Sequence, residues 1–154
     1  MKSFLVKAKK PIVKWKLLPD NIFFEGKVPE GYNLAVSPSK NYIVIDIDRH
    51  GDTDGFENVP RHLINELGGT LTYPTKNDGR HCWFKYTGDK PLANRTSGQG
   101  IDLRTDKGYV VWYPKVEFRS QIETIKESSI ELNNWLEELF SFKSGIHDYV
   151  IQER

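Results

Sequence analysis

The segment from Asn41 to Arg49, NYIVIDIDR, constrains the fold of this chain more than any other. Its β-branched and aromatic run from Tyr42 to Ile47 is a strand signature. Alternation puts Ile43, Ile45 and Ile47 on one face, which must be covered by apolar packing. Asp46 and Asp48 share the other face, with Cα atoms about 7 Å apart. Two carboxylates pointing the same way repel and raise each other's pKa unless a cation lies between them. Aspartate is also a poor strand residue. A strand end that keeps both is suited to a hard divalent cation on oxygen ligands, Mg²⁺ or Mn²⁺. A strand end that simply runs into solvent has the same pattern, and this spacing alone leaves both readings open.

The neighbouring segments supply the rest of a sheet. Asn33–Ser37 precedes the aspartate strand, and the pair reads as a hairpin through Pro38-Ser39. Val59, Leu63, Ile64 and Leu67 fall at helical spacing, with Pro60 in the first turn and Gly68-Gly69 as the stop. Strands are expected at Thr70–Pro74, Arg80–Tyr86, Gly100–Arg104 and Tyr109–Pro114. The last two are expected to pair through the turn Asp106-Lys107-Gly108. A final helix is marked by capping-box spacing at Ser128 and Glu131 and by the stripe Leu132, Trp135, Leu136, Leu139 and Phe140. The segment from Pro19 to Gly31 has loop punctuation, and the tail after Gly145 reads as a short extra element or as disordered. The order predicts an α+β fold, a mixed sheet with helices on one face.

Charge and cysteine usage narrow the function classes. The net charge of the 154 residues is +1, so no basic field covers the whole protein. The first sixteen residues nevertheless carry Lys2, Lys7, Lys9, Lys10, Lys14 and Lys16 with no acid. Such an end can meet phosphates, although a lysine-rich terminus is more often solubilising. Cys82 is the only cysteine, which excludes a disulfide framework and a cysteine zinc site. Phe4-Leu5-Val6 is too short for a signal peptide, and no stretch has the ~20 apolar residues of a membrane span. A cytoplasmic location is expected. The acidic loop DTDG fails as a calcium loop, because His50 and Arg61 would fall where its first and last ligands belong.

Two more segments carry candidate chemistry. In NDGRHCWFKY, His81, Trp83 and Lys85 should share one strand face, and Cys82, Phe84 and Tyr86 the other. His81 follows a glycine turn with backbone N–H groups nearby, a fit for phosphate, although a lone histidine is more often packed or simply exposed. Cys82 among aromatics reads as core. In GIDLRTDKGYVVWYP, Asp102 and Arg104 face one way. Asp102 can pair with a cation or with Arg104 itself, whereas Arg104 and Lys107 can meet a triphosphate.

Taken in order, the strand DxD at Asp46 and Asp48, the glycine turn before His81, and the hydrophobic-Asp-x-Arg strand running into Gly108-Tyr109-Val110-Val111 resemble primase–polymerase domains of the archaeo-eukaryotic primase superfamily, plasmid and phage type. KKPIVKW, from Lys9 to Trp15, is similar to the Lys-Pro…Trp segment of those domains. The resemblance implies an RRM-like sheet, metal ligation by Asp46, Asp48 and Asp102, and a phosphate contact from His81. Arg80, beside that histidine, joins Arg104 and Lys107 as a candidate nucleotide contact. It further implies a DNA primase or polymerase working by two-metal phosphoryl transfer on single-stranded DNA and nucleoside triphosphates, with a helicase or other replication protein as a possible partner. One catalytic domain is expected, with a basic segment over 1–32, a core over 33–114 and a helical region over 115–145. The alternative is a non-catalytic accessory or initiator module gripping nucleic acid through Lys9, Lys10, Lys14, Trp15 and Arg95. A rolling-circle nickase is disfavoured, since His81-Cys82-Trp83 lacks the second histidine of such a pair.

Overall fold

The computed structural model describes residues 1–142, so the tail after Gly145 lies outside the described residues. The fold is mixed α+β, with mostly antiparallel sheets and few helices. The strands are β1 (Lys2–Lys7), β2 (Lys10–Pro11), β3 (Asn33–Ser37), β4 (Tyr42–Ile47), β5 (Arg49–His50), β6 (Thr53–Asp54), β7 (Thr72–Pro74), β8 (Arg80–Lys85), β9 (Arg95–Thr96), β10 (Ile101–Arg104), β11 (Val110–Val111) and β12 (Lys126–Glu127). The helices are α1 (Ile64–Gly68) and α2 (Ile130–Phe140), with short 3-10 turns elsewhere.

The main sheet runs β12-β8-β4-β10-β9, and β7 pairs with the first half of β8. Its centre is the aspartate strand, and the alternation there decides the layers. Ile43, Ile45 and Ile47 pack with Cys82, Phe84, Ile101 and Leu103 against Leu63 and Leu67, and against Leu132, Leu136 and Phe140 of α2. These side chains are buried, and each isoleucine so covered contributes about 1.5–3 kcal/mol. Val44 and Trp83 point to the opposite face. There they meet Val36 and Val110 of a second sheet, ordered β11-β3-β1-β2, together with Trp112 and Phe118. The molecule is thus a helical layer, a main sheet and a second sheet.

Two expected pairings are corrected. β3 and β4 form no hairpin: β3 pairs with β1 and β11, whereas β4 pairs with β8 and β10. Pro38 offers no N–H for a ladder, and Asn41 is left-handed (φ 76°), so the chain leaves one sheet and enters the other. Nor do β10 and β11 pair. The turn closed by Gly108 N–H on the Thr105 carbonyl exists, at 3.0 Å, but it carries the chain between sheets. Alternation specifies faces; it does not name a strand's neighbour.

Other expectations are refined. The N-terminal run read only as basic contains β1, a central strand of the second sheet in which Ser3 to Val6 are buried. The helix around Pro60 is two 3-10 turns, Gly55–Asn58 and Arg61–Leu63, followed by the five residues of α1. Leu63 and Leu67 are buried as expected, but Ile64 is exposed. The cap of α2 is Ser129, whose Oγ accepts from Leu132 N–H at 3.1 Å. Ser128 instead donates to Asn133 Oδ1 at 2.5 Å. No helix among the described residues is long and apolar enough to cross a membrane.

Candidate functional site

Register brings the chemistry together. Across the main sheet, Asp102 lies opposite Asp46, Asp46 opposite His81, and His81 opposite Tyr73. These four residues form one cross-strand row on the face turned toward the second sheet, where neighbouring Cβ atoms are about 5 Å apart. Asp48, just past the end of β4, extends it. One oxygen from each of Asp46, Asp48 and Asp102 can lie within 4.8 Å of the others, a spacing that could hold a metal ion.

Backbone contacts fix Asp48. Its N–H donates to the Gly100 carbonyl at 2.8 Å, and its carbonyl accepts from Gly55 N–H at 2.8 Å. Gly55 and Gly100 touch backbone to backbone, and a Cβ on Gly55 would stand 2.1 Å from the Gly100 oxygen. The loop of β5, β6 and the Gly55–Asn58 turn is thereby clamped to the start of β10.

The electrostatics of the cluster are those of a site short of positive charge. Burial, then the adjacent Asp46 and Asp102 charges, push the Asp48 carboxyl up to about 6 from its ordinary 3.8. Burial also raises Asp102, against the pull of Arg104, whose Nη2 is 3.6 Å from Asp102 Oδ2. Asp46 Oδ1 is buried without a hydrogen-bond partner, although His81 Nε2 lies 3.5 Å away. An orphaned carboxylate oxygen within an all-oxygen donor set fits a divalent cation.

A pH prediction follows. Asp48 holds its proton more tightly in the folded state, so the stability from this group is fully present below about pH 4. It is lost as pH rises through about 6. After allowance for screening by solvent, the loss is about 1–2 kcal/mol. Thermal unfolding of metal-free protein should show this decline and Asp48→Asn should lack it. Added Mg²⁺ or Mn²⁺ should reverse the trend above pH 6, since a cation binds the ionised carboxylates. An identical pH profile for Asp48→Asn would refute the argument.

Beside the acids, a cleft of about 460 Å³ opens between the sheets. Asp46, His81 and Arg104 line its main-sheet wall, and Lys9, Tyr109, Val111 and Tyr113 are among its other residues. Its volume is in the range of small-molecule sites. Lys9 and Ala8 form a left-handed turn (φ 65° and 51°), and the Lys9 carbonyl accepts from the Tyr109 hydroxyl at 3.0 Å.

Not every sequence candidate reaches this cleft. Arg80 lies on the opposite face of β8 from His81, where its Nε donates to Thr72 Oγ1 at 3.1 Å. Strand alternation forbids both residues from sharing a site. Lys107 is exposed on its turn and does not line the cleft. Arg95 donates from Nη2 to the carbonyls of Leu139 at 3.0 Å and Ser141 at 3.4 Å, closing the carboxyl end of α2. Trp15 stacks on Phe4 with centroids 5.4 Å apart and meets Tyr109 edge-on. Lys10 and Lys14 are exposed and close to Lys9 in the chain. Cys82 is core as expected, its thiol pushed up to about 11 by burial. Tyr73 and Asn94 were not expected at the site, whereas Tyr113 is one of three aromatics, with Tyr109 and Trp112, expected mostly in the core with one free to stack on a base. The register of β7 brings Tyr73 there, and Asn94, just before β9, is held by accepting from Thr105 N–H at 2.9 Å.

The carboxylates could hold a metal ion, and lysine, arginine and histidine line the cleft beside them. Over residues 7–135 the sequence matches the family described as bifunctional DNA primase/polymerase, N-terminal, and the chain belongs to that family. No curated protein matches the sequence. Membership implies primase or polymerase activity, with DNA and nucleotides as substrates.

Proposed function

We propose that this chain initiates or extends nucleic-acid strands by metal-dependent nucleotidyl transfer on single-stranded DNA, in a phage, plasmid or other mobile element. The observation that carries the reading is the Asp102-Asp46-His81 row, with the orphaned Asp46 oxygen at its centre. Asp46, Asp48 and Asp102 would hold Mg²⁺ or Mn²⁺. When bound, two such ions activate the attacking 3′-hydroxyl and stabilise the pyrophosphate leaving group. His81 and Arg104 face the same cleft and are assigned to the triphosphate of the incoming nucleotide, offsetting charge that grows on it in the transition state. Lys9, with Lys10 and Lys14 nearby in the chain, supplies positive charge at the cleft mouth for the nucleic-acid backbone. A covalent nucleophile has no place in this chemistry, consistent with the buried Cys82.

The test is incorporation of labelled nucleotides on primed and unprimed single-stranded templates with Mg²⁺ or Mn²⁺, comparing wild type with Asp46→Ala/Asp48→Ala. Metal-dependent product from wild type alone supports the reading, and the unprimed template reports chain initiation. Intact folding and DNA binding without product would point instead to the non-catalytic accessory module. His81→Ala should raise the KM for nucleotide about tenfold or more, the cost of one hydrogen bond to a charged group. An unchanged KM would return His81 to a packing role.

A further inference from the structure

Tyr73 ends the cross-strand row, and its hydroxyl is bonded on two sides. Trp83 Nε1 donates to the Tyr73 oxygen at 3.0 Å, and His81 Nδ1 lies 3.1 Å from the same oxygen. Tyr73, His81 and Trp83 are all buried, and the Tyr73 and His81 rings meet edge-on with centroids 5.2 Å apart. The indole N–H is donor-only, so the Tyr73 oxygen accepts there. Were His81 Nδ1–H to donate to that oxygen as well, the tyrosine's own hydrogen would need another acceptor. None is present among the described residues, and a buried hydroxyl hydrogen without an acceptor is a state folded proteins avoid. The arrangement that satisfies both the Tyr73 hydroxyl and His81 Nδ1 runs from Trp83 N–H to Tyr73 oxygen, then from Tyr73 O–H to His81 Nδ1. The ring proton of neutral His81 then resides on Nε2, the atom nearest Asp46 Oδ1.

We propose that Tyr73 is a positioning residue that holds the His81 ring in its Nε2–H form and aims that N–H at the phosphates of the bound nucleotide. The tautomer stands on the hydrogen bonds alone, whereas the phosphate as its target rests on the function proposed above. An edge strand built from Thr72 to Pro74 thus has a use beyond lengthening the sheet: residue 73 is its direct partner to residue 81. Burial also holds the Tyr73 hydroxyl well above its ordinary range, which keeps the donor protonated.

The test is ¹⁵N correlation spectroscopy of the neutral His81 ring in wild-type protein without metal or nucleotide, alongside Tyr73→Phe. Wild type should show Nε2 carrying the proton and Nδ1 as a hydrogen-bonded acceptor. In Tyr73→Phe the Nδ1 resonance should move to its unbonded position. Binding of the Mg²⁺ complex of a nucleoside triphosphate should weaken about tenfold in that variant, with KM rising and kcat changing less than about twofold. A proton on Nδ1 in wild type overturns the proposal even if the variant fails to fold. An unchanged affinity in a folded Tyr73→Phe variant overturns the positioning role. If wild type shows the expected tautomer yet binds no nucleotide, the polymerase reading fails and takes the phosphate role with it, while the tautomer assignment stands.

Discussion

Replacing Asp46 by alanine should lower nucleotide incorporation by about 10³-fold or more, the several kcal/mol of charge stabilisation that a metal ion supplies. Asp46 is the shared member of the cluster: it lies opposite Asp102 on one side and His81 on the other. Losing it removes a ligand from the middle of the set, not from its rim. The fold should not suffer. The residue removed has a buried, unpartnered oxygen and adds to the repulsion that raises Asp48. Metal-free Asp46→Ala should therefore unfold within about 1 kcal/mol of wild type, or at higher temperature. Incorporation assays and thermal unfolding on the same preparation check both halves. Retained activity would remove Asp46 from the metal site, and a large loss of stability would mean that the carboxylate has a structural role.

Gly55→Ala should destabilise the protein by about 3 kcal/mol, the upper range for forcing atoms into a packed contact, and should weaken metal binding with it. The added Cβ would stand 2.1 Å from the Gly100 oxygen, 2.8 Å from the Gly100 carbonyl carbon and 3.0 Å from the Asp48 oxygen. All three are backbone atoms and cannot swing aside as a side-chain tip can. Relief requires parting the loop from β10, and that breaks the bonds fixing Asp48. Gly100→Ala should act in the same direction, since its Cβ would meet Gly55 and its φ is 76°. Gly68, at the end of α1, has open space where a Cβ would go, so Gly68→Ala is the matched control and should be neutral or slightly stabilising. Chemical denaturation and metal titration by calorimetry distinguish the cases. A Gly55→Ala variant as stable as Gly68→Ala would show that the clamp is not required.

The acidic part of the candidate site is legible in the amino-acid sequence because strand alternation is a local property. Once Tyr42–Ile47 reads as a strand, Asp46 must oppose the isoleucines, and the same argument aligns Asp102 with Arg104 and His81 with Trp83. That alternation also excludes Arg80 from the side of His81. Arg95 and Lys107 were candidates on charge alone, and charge does not say where a side chain is directed. Arg95 serves the end of α2, while Lys107 stays on its turn in solvent.

By itself the sequence determined which residues share a face, where the amphipathic stripe of α2 lies, that Cys82 is core, and the order of the aspartate, histidine and aspartate segments. Those properties depend on neighbours a few positions away. Tertiary structure alone decided which strands lie side by side, that β3 and β11 leave the main sheet, and that β1 is a central strand of the second sheet. It also decided that Tyr73 meets His81. Pairing partners and register are settled by packing between segments far apart in the chain, through contacts such as Gly55 on Gly100 and Val44 beneath Val36. The cleft exists only because two sheets, built from interleaved segments, close on each other with the carboxylates at their junction.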